Sequence, residues 1–453
     1  MNFRRRAVNN LMFFFLFLTG ALVLTSCGGG SSTTTTTTTT TPAANNSVDL
    51  TVGFGPNGQA GGYINGVFTT VTICQAGTST CTDVPNVLVD TGSVGLRVLS
   101  SAISSLTLSA IKDTSGDALQ ECIQYGDTSF SWGPVLLADV KLGGETAASL
   151  PIQSIGGNTF AVPSSNCLTM PVNPALPNNG NEDTVAALGS NGILGIGDGI
   201  WDCGTGCANV STGSTYSGYP YYICPSGSCE EIGVPTSDQA ANPVAAFSSS
   251  DKNGVIITLP AVPSNGTTSV TGTLTFGIAT QSNNALGSQT IFGVDACGDL
   301  PTVTYNSQQY TDTACTSNTG TGGLGAIFDT GSNALYVLDA TTLSPLGISD
   351  CTATGYYCVT GGGTATISNI ALLGYNSVGS GTVSVNIGDA TTLLNANPTF
   401  AAYNNLGSDS GSGPSTDFFD FGLPFFLGKT IYISIGGQTV SGVSNAPNGF
   451  VAF

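Results

Sequence analysis

The sequence contains no histidine and very few basic residues. Of its 453 residues, 8 are Lys or Arg and 27 are Asp or Glu, so its formal net charge is −19. Without histidine the chain cannot carry a Ser-His-Asp or Cys-His catalytic site, a His-ligated zinc ion or a histidine pH switch. The acidic charge also excludes binding to a nucleic-acid phosphate backbone, and it disfavours binding to anionic membrane surfaces.

Residues 1–26 have the pattern of a bacterial lipoprotein signal peptide. A basic start at Arg4–Arg6 precedes an interrupted apolar run that is short for a membrane span. The run ends in Leu-Thr-Ser-Cys at residues 24–27, which resembles the lipobox of bacterial lipoproteins. We therefore expect Cys27 to carry a lipid, and Gly28 after it implies sorting to the outer membrane of the cell envelope. A permanent N-terminal anchor is the alternative.

Residues 27–48 are predicted to form a flexible tether. They contain a glycine-serine run and nine consecutive threonines at 33–41, followed by Pro, Ala and Asn. A segment of this composition has no apolar face to bury.

Twelve cysteines follow Cys27, and an even number in an exported chain predicts up to six disulfides. Short separations favour the pairs Cys74–Cys81, Cys297–Cys315 and Cys351–Cys358. Four more cysteines could pair in nested or sequential order, or could hold zinc through sulfur alone: Cys203, Cys207, Cys224 and Cys229.

The alternation of short apolar segments with turn residues predicts a mostly β fold. No repeat of 20–50 residues is present, which argues against a solenoid or a propeller. Short helices are predicted at Asp339–Leu343 and Pro243–Phe247. Strands are predicted at Asn86–Val89, Val135–Leu142, Gly254–Leu259, Thr271–Phe276, Ala326–Phe328 and Thr430–Ile435.

One motif occurs twice, once in each half of the chain. Residues 87–93 are Val-Leu-Val-Asp-Thr-Gly-Ser, and residues 326–332 are Ala-Ile-Phe-Asp-Thr-Gly-Ser. In both copies an apolar strand leads into the polar residues and an aliphatic stretch follows. A single Asp-Thr-Gly is weak evidence, since these are common turn residues, but two copies with the same surroundings indicate a duplicated functional loop.

An internal twofold symmetry that brought the two loops together would place Asp90 beside Asp329. Two adjacent carboxylates cannot both ionise cheaply, so the pair holds one proton over a wide acidic range. One carboxylate can then activate water as a general base while the other protonates a carbonyl oxygen. Gly92 and Gly331 would let the two backbones approach each other.

With these motifs, the chain resembles the pepsin-like aspartic peptidases over roughly residues 49–453. The sequence Tyr125-Gly126-Asp127-Thr128 is similar to the tip of that family's flap hairpin. Further similarity lies in Asn191–Gly197, Thr271–Gly277 and Phe421–Leu427, which resemble the strand threading the first lobe, the strand that opens the second half and the strand threading the second lobe.

The resemblance implies a bilobal fold with two related β-barrel lobes and a peptide cleft between them. The N-terminal lobe would be residues 49–262, with a Cys-rich insertion at 201–235, and the C-terminal lobe 263–453. It implies a monomer without cofactor or metal that acts on peptides or proteins. Its catalytic pair would be Asp90 and Asp329, supported by Thr91, Gly92, Ser93, Thr330, Gly331 and Ser332, with Tyr125, Gly126 and Asp127 on the flap.

Three features depart from the family. Arg97 stands where members commonly have a Trp that contacts the flap Tyr; it is either a surface guanidinium paired with a carboxylate, or a contact of Tyr125 or Asp127 that alters the flap and lowers the dyad's pKa values. Asp420 occupies a place that is usually hydrophobic. The insertion at 201–235 either shapes the cleft or forms a solvent loop.

The leading hypothesis is an aspartic-type endopeptidase in the form of a lipoprotein. The intact Asp-Thr-Gly-Ser in both halves favours it. A non-catalytic lipoprotein that binds peptide or glycan on the same fold is the alternative, and Arg97 and Asp420 favour it mildly. An envelope scaffold, suggested by the Gly, Thr, Ser and Asn content, is disfavoured by the lack of repeats.

Overall fold

The computed structural model describes residues 45–58, 62–157, 160–163, 167, 176–208, 220–312, 325–351, 354–410 and 418–453. The predicted signal peptide, Cys27 and nearly all of the tether lie outside these residues. Within the described ranges, no helix has both the length and the apolar character needed to cross a membrane.

The fold is mostly β, as predicted. The first half of the chain contains the strands β1 (Ser47–Gly53), β2 (Gly66–Gln75), β3 (Cys81–Asp90), β4 (Val94–Leu99), β5 (Ser109–Ala110), β6 (Gln120–Gln124), β7 (Phe130–Leu142), β8 (Glu145–Ile155), β9 (Gly192–Ile196), β10 (Tyr221–Ile223), β11 (Glu230–Glu231) and β12 (Gly254–Thr258). The first strand therefore begins inside the segment that we predicted as tether.

The second half repeats this strand-rich pattern. It contains β13 (Val270–Phe276), β14 (Ile291–Gly293), β15 (Thr302–Tyr305), β16 (Gln308–Thr311), β17 (Ala326–Asp329), β18 (Leu335–Val337), β19 (Ile348–Asp350), β20 (Tyr357–Val359), β21 (Thr364–Leu373), β22 (Ser380–Gly388), β23 (Gly407–Ser408), β24 (Phe419–Gly422), β25 (Thr430–Ser434) and β26 (Phe450–Ala452).

The α-helices are short. They are α1 (Val185–Leu188), α2 (Thr205–Ala208), α3 (Ala340–Leu343), α4 (Ala390–Ala396) and α5 (Leu423–Phe426). The helix predicted at Asp339–Leu343 is confirmed, because the Asp339 side chain caps α3 by accepting from the backbone N–H groups of Thr341 and Thr342. The prediction of a helix at Pro243–Phe247 is wrong, because this segment forms turns. The three serines that follow it supply no apolar side chains that a longer helix could bury, and serine favours turns over helix interiors.

One sheet connects the two halves of the chain. Strand β1 pairs antiparallel with β2 on one side and with β13 on the other, and β13 continues to β12 and β25. The buried apolar side chains of both halves form one continuous cluster that includes Val87, Leu194, Phe328 and Phe421. All six predicted strands are present. Four of them differ from the prediction by one residue at an end, whereas β3 and β7 each begin five residues earlier than predicted.

The repeated motif has the same topology in both halves. In the first half, β3 runs parallel to β9 and β4 runs antiparallel to it, with Asp90 opposite Gly195. In the second half, β17 runs parallel to β24 and β18 runs antiparallel to it, with Asp329 opposite Gly422. The two returning strands, β9 and β24, are buried along their whole length, because each has a neighbouring strand on both sides. Each half thus carries its Asp to the end of a buried strand.

Five disulfides join described cysteines. Cys74–Cys81 and Cys351–Cys358 are confirmed, and the four clustered cysteines pair in sequence as Cys203–Cys207 and Cys224–Cys229. The fifth disulfide, Cys122–Cys167, ties β6 to the segment after β8. Cys297 is also disulfide-bonded, and its predicted partner Cys315 lies outside the described residues.

Candidate active site

The two Asp-Thr-Gly-Ser loops meet at the junction of the halves. The backbone N–H of Gly92 donates to Asp90 Oδ1 at 2.9 Å and to Asp329 Oδ1 at 3.0 Å. The N–H of Gly331 donates to Asp329 Oδ1 at 2.7 Å. The two carboxyls therefore share the Gly92 N–H as a donor, and Asp90 and Asp329 are 4% and 5% exposed. The structure therefore brings the predicted pair face to face.

Neither Gly92 nor Gly331 could carry a side chain at this junction. A Cβ on Gly92 would lie 2.5 Å from Asp329 Cγ, and a Cβ on Gly331 would lie 2.5 Å from Asp90 Oδ1. Real Cβ atoms do not approach that closely, so glycine is required in both loops for the carboxyls to meet.

Crossed hydrogen bonds of the two threonines hold the loops together. The Thr91 hydroxyl donates to the Phe328 carbonyl at 2.7 Å, and the Thr330 hydroxyl donates to the Val89 carbonyl at 2.8 Å. In return, each Thr N–H donates to the hydroxyl oxygen of the other Thr, at 3.2 Å from Thr91 and 3.0 Å from Thr330. This buried lattice fixes the separation and the orientation of the two Asp residues.

The two serines contact the outer oxygens of the pair. The Ser93 hydroxyl donates to Asp90 Oδ2 at 2.6 Å, and Ser332 Oγ lies 2.8 Å from Asp329 Oδ2. Ser332 Oγ also lies 2.6 Å from Asp420 Oδ2. Asp420 lies in β24, which runs parallel to β17 as expected for the strand that threads the second lobe. An acidic residue at this usually hydrophobic place therefore does not prevent the strand from forming.

Burial and the neighbouring carboxyl favour the protonated form of Asp329. Burial, and then the neighbouring Asp90, hold the pKa of Asp329 well above its usual range, although hydrogen bonds from Ser332 and from the Gly331 N–H act in the opposite direction. A pair with one proton can donate with one carboxyl and accept with the other.

The flap hairpin is present, but its tyrosine is not exposed. Strands β6 and β7 pair antiparallel and enclose the turn at residues 125–129. Tyr125 is 2% exposed, packs in a cluster with Leu99 and Ile155, and its hydroxyl lies 3.1 Å from Ser131 Oγ. Asp127 accepts from the N–H and the hydroxyl of Ser129 at the turn. The Tyr125 ring thus packs inside the first half rather than over an open groove.

Arg97 is buried rather than at the surface, but it pairs with carboxylates as the first alternative predicted. Its side chain is 2% exposed, and Nη2 lies 2.6 Å from Glu121 Oε1 and 3.0 Å from Asp202 Oδ2. Nη1 donates to the Val94 carbonyl at 2.8 Å. Burial alone lowers the pKa of Arg97, but Glu121 and Asp202 outweigh it and the net shift is upward. The ion pair with Glu121 of β6 places Arg97 beside the hairpin, while its predicted contact with Tyr125 or Asp127 stays a prediction.

The described parts of the insertion at 201–235 pack against the flap and do not form a solvent loop. Strand β10 pairs with the flap strand β6 and so extends the hairpin sheet. The Tyr221 hydroxyl donates to Asp202 Oδ1 at 2.7 Å and accepts from the Ala240 N–H at 2.7 Å. Arg97 thereby connects the strand that follows the first Asp-Thr-Gly-Ser loop, the hairpin and the insertion.

Two clusters within the described ranges bring three candidate metal ligands together. They are Cys351, Cys358 and Asp389, and Asp295, Cys297 and Asp312. Every cysteine in both clusters is disulfide-bonded and offers no thiolate, which a Cys-containing metal site requires.

Sequence reasoning missed Glu121, Asp202 and the role of Asp420. The signal for Asp420 was available, since a lone carboxyl stands in the apolar strand Phe-Asp-Phe-Gly. Glu121 and Asp202 gave no such signal, because their partner Arg97 is distant in the sequence.

No curated protein matches this chain in sequence. A similar solved structure is the aspartic proteinase from Irpex lacteus, with 17% identity, a TM-score of 0.44, and coverage of 90% of this chain and 96% of that chain. The model of the DUF3443 family, described as proteins of unknown function, matches residues 42–453. The chain belongs to the DUF3443 family.

Proposed function

We propose that this chain is an aspartic-type endopeptidase that cleaves peptide bonds with a water molecule activated by Asp90 and Asp329. The observation that carries the proposal is the joint hydrogen bonding of the two carboxyls, in which the Gly92 N–H reaches both. A neutral hydrogen-bonded pair would hold this junction together at a lower desolvation cost than two buried carboxyls. The presence of both carboxyls therefore favours a chemical role over a structural one.

The arrangement supplies both a base and an acid. Asp90, as the carboxylate, takes a proton from water as the water oxygen attacks the carbonyl carbon. Asp329, which burial and Asp90 keep protonated by raising its pKa, gives its proton to the carbonyl oxygen. The pair still holds one proton, now on Asp90. The resulting diol breaks at the C–N bond when Asp90 gives this proton to the amine nitrogen and Asp329 takes a proton from a diol hydroxyl. The products are a carboxylic acid and an amine, and the pair is back in its one-proton state.

Cleavage of an unfolded protein substrate tests the proposal. Casein would be incubated with the chain between pH 3 and pH 7, and new amino termini would be counted. The variants Asp90→Asn and Asp329→Asn should both lose activity, because each removes one member of the pair. Asp83→Asn is the matched control, since Asp83 lies in the same strand as Asp90 but is exposed. Activity that survives in either dyad variant contradicts the proposal.

Peptide binding without turnover is a second candidate, and the anchoring of the flap favours it. The hairpin is joined to strand β10, to the disulfide Cys122–Cys167 and to the buried Arg97. A statine-type inhibitor, which mimics the diol, separates the two candidates. Inhibitor binding without any cleavage supports the binding protein, and cleavage blocked by the inhibitor supports the enzyme.

We also propose that Cys27 anchors the protein by a lipid to the bacterial outer membrane. The support is the sequence at residues 24–27 and the glycine after it. Expression with radiolabelled palmitate in a Gram-negative host tests the anchor. Label in the wild type and its loss in Cys27→Ala are expected, while equal labelling of both contradicts the anchor.

A further inference from the structure

The second catalytic loop has a third carboxyl that the first loop lacks. Asp420 lies two residues before Gly422 in β24, opposite Ile327 of β17. The same place in the first half is Ile193, two residues before Gly195 in β9 and opposite Leu88. Ile193 is fully buried and apolar, as is usual for a strand with neighbours on both sides. Asp420 is therefore an exception within the molecule itself.

Asp420 is buried and reaches the dyad through one hydroxyl. Asp420 is 1% exposed, and its Oδ2 lies 2.6 Å from Ser332 Oγ. The same Ser332 Oγ lies 2.8 Å from Asp329 Oδ2. Its other oxygen, Oδ1, is buried without a hydrogen-bond partner among the described residues. A buried charged oxygen without a partner is costly, whereas the carbonyl oxygen of a neutral carboxyl costs far less.

The number of hydrogens available at Ser332 also indicates that Asp420 is protonated. The Ser332 hydroxyl has one hydrogen, yet two carboxyl oxygens lie within hydrogen-bonding distance of it. Both contacts are hydrogen bonds only if one carboxyl supplies a proton of its own. If Ser332 donates to Asp329, then Asp420 must donate to Ser332, which forms a chain from Asp420 through Ser332 to Asp329.

The charged groups around Asp420 favour its neutral form. The groups that act on its ionisation are Asp329 on β17 and Asp90 on β3, both acidic. From β18, Tyr336 lies opposite Asp420, and its hydroxyl donates to Asn333 Oδ1 at 2.8 Å. Burial first, and then these carboxyls, raise the pKa of Asp420 well above its usual range, although the hydrogen bond with Ser332 opposes them.

We propose that Asp420 is a positioning residue that keeps its proton and donates it to Ser332, so that Ser332 is committed as a donor to Asp329. This inference rests on the proposed peptidase function. The commitment matters after Asp329 has given its proton to the substrate, because the Ser332 hydroxyl then stabilises the new carboxylate. No proton is consumed, since Asp420 and Ser332 each keep their own hydrogen throughout.

The proposal predicts that the ionisation of Asp420, rather than that of Asp90 or Asp329, sets the highest pH at which the enzyme is active. When Asp420 ionises, it becomes an acceptor and competes with Asp329 for the Ser332 hydrogen. Its charge also disfavours the ionised form of Asp329. Activity should therefore fall as the pH rises through the ionisation of Asp420, even where the dyad still holds its proton.

The experiment compares Asp420→Asn, Asp420→Leu and the matched control Ile193→Val in the full chain. An Asn amide donates to Ser332 and cannot ionise, so Asp420→Asn should keep kcat/KM within about twofold at low pH and extend the activity to higher pH. Asp420→Leu supplies no donor and should lower kcat roughly 10-fold or more at every pH, since a hydrogen bond to a charged group is weakened. Ile193→Val should leave the pH profile unchanged.

A second readout does not depend on peptidase activity. The infrared difference spectrum between wild type and Asp420→Asn at pH 6 should contain the carbonyl absorption of a protonated carboxyl. Its absence overturns the proposal, as does a pH profile of Asp420→Asn that coincides with that of the wild type. If the wild type cleaves nothing, the peptidase function fails, and the infrared band alone then decides whether Asp420 holds its proton.

Discussion

The two Asp-Thr-Gly-Ser loops lead into strands of the same topology, but the ionisable side chains beside them are placed differently. Seven residues after the Asp, β4 has Arg97 and β18 has Tyr336, and each lies opposite the returning strand, at Ile193 and Asp420 respectively. In the first half the cation of this cross-strand pair thus sits on β4, and in the second half the carboxyl sits on β24. The two halves share their strand topology and differ in where they bury an ionisable group.

The two ionisable groups also act in different places. Arg97 is paired with Glu121 and Asp202, which belong to the hairpin and the insertion. Asp420 has acidic neighbours and contacts the pair of Asp90 and Asp329 through Ser332. The first half therefore uses its cation to hold the hairpin, and the second half places a carboxyl, which we infer to be neutral, next to the pair. That Arg97 lowers the pKa values of the pair stays a prediction.

The largest expected effect treats the two halves alike. Asp90→Asn and Asp329→Asn should each reduce kcat/KM by about 100-fold to 10,000-fold, because one group is the base and the other the acid. Steady-state cleavage of a fluorogenic peptide measures both. A variant of one half that keeps full activity would show that the two loops do not work as a pair.

Breaking the charge cluster of the first half should cost stability. Arg97→Met leaves Glu121 and Asp202 buried without their cation, so we expect the free energy of unfolding to fall by about 3–5 kcal/mol. Urea denaturation followed by fluorescence measures it. The exposed Lys112→Met is the control and should change it by less than about 0.5 kcal/mol. Equal stability of the two variants would rule out the structural role of Arg97.

The threonine lattice allows a direct comparison of the two halves. Thr91→Val and Thr330→Val each remove one buried hydroxyl that bonds to a carbonyl across the junction, so each should cost about 1–3 kcal/mol of unfolding free energy. Because each hydroxyl also accepts from the other residue, the double variant should cost less than the sum. Strictly additive losses would contradict a shared lattice.

The last effect is a pH dependence of stability that belongs to the second half. The folded-state pKa of Asp420 is raised, so below an unfolded pKa of about 3.9 both states are protonated and the contribution to stability is complete. As the pH rises toward the folded pKa, only the unfolded state releases the proton. Stability then falls by up to about 1.4 kcal/mol per pH unit.

The measurement is chemical denaturation between pH 4 and pH 7 for wild type and Asp420→Asn. The wild type should lose stability relative to the variant as the pH rises, since the amide does not titrate. Parallel stability curves would mean that Asp420 has the same affinity for protons in both states.

The comparison of the halves also marks the limit of prediction from sequence. The duplicated motif, both returning strands and the capped helix at Asp339 were predictable because each depends on residues adjacent in the chain. The turn at Pro243–Phe247 and the burial of Tyr125 were not, because both depend on what packs around them. The pairing of Cys122 with Cys167 likewise joins segments 45 residues apart.

By itself, the sequence determined that two Asp-Thr-Gly-Ser loops end buried strands in a mostly β chain, since strand pattern and turn chemistry are local properties. Only the tertiary structure decided which partners the buried Arg97 and Asp420 have. It placed Arg97 between Glu121 and Asp202 and set Asp420 against Ser332, 88 residues away. The physical reason is that burial and partners of a charge depend on the packing of distant strands, and these determine whether the group holds its proton.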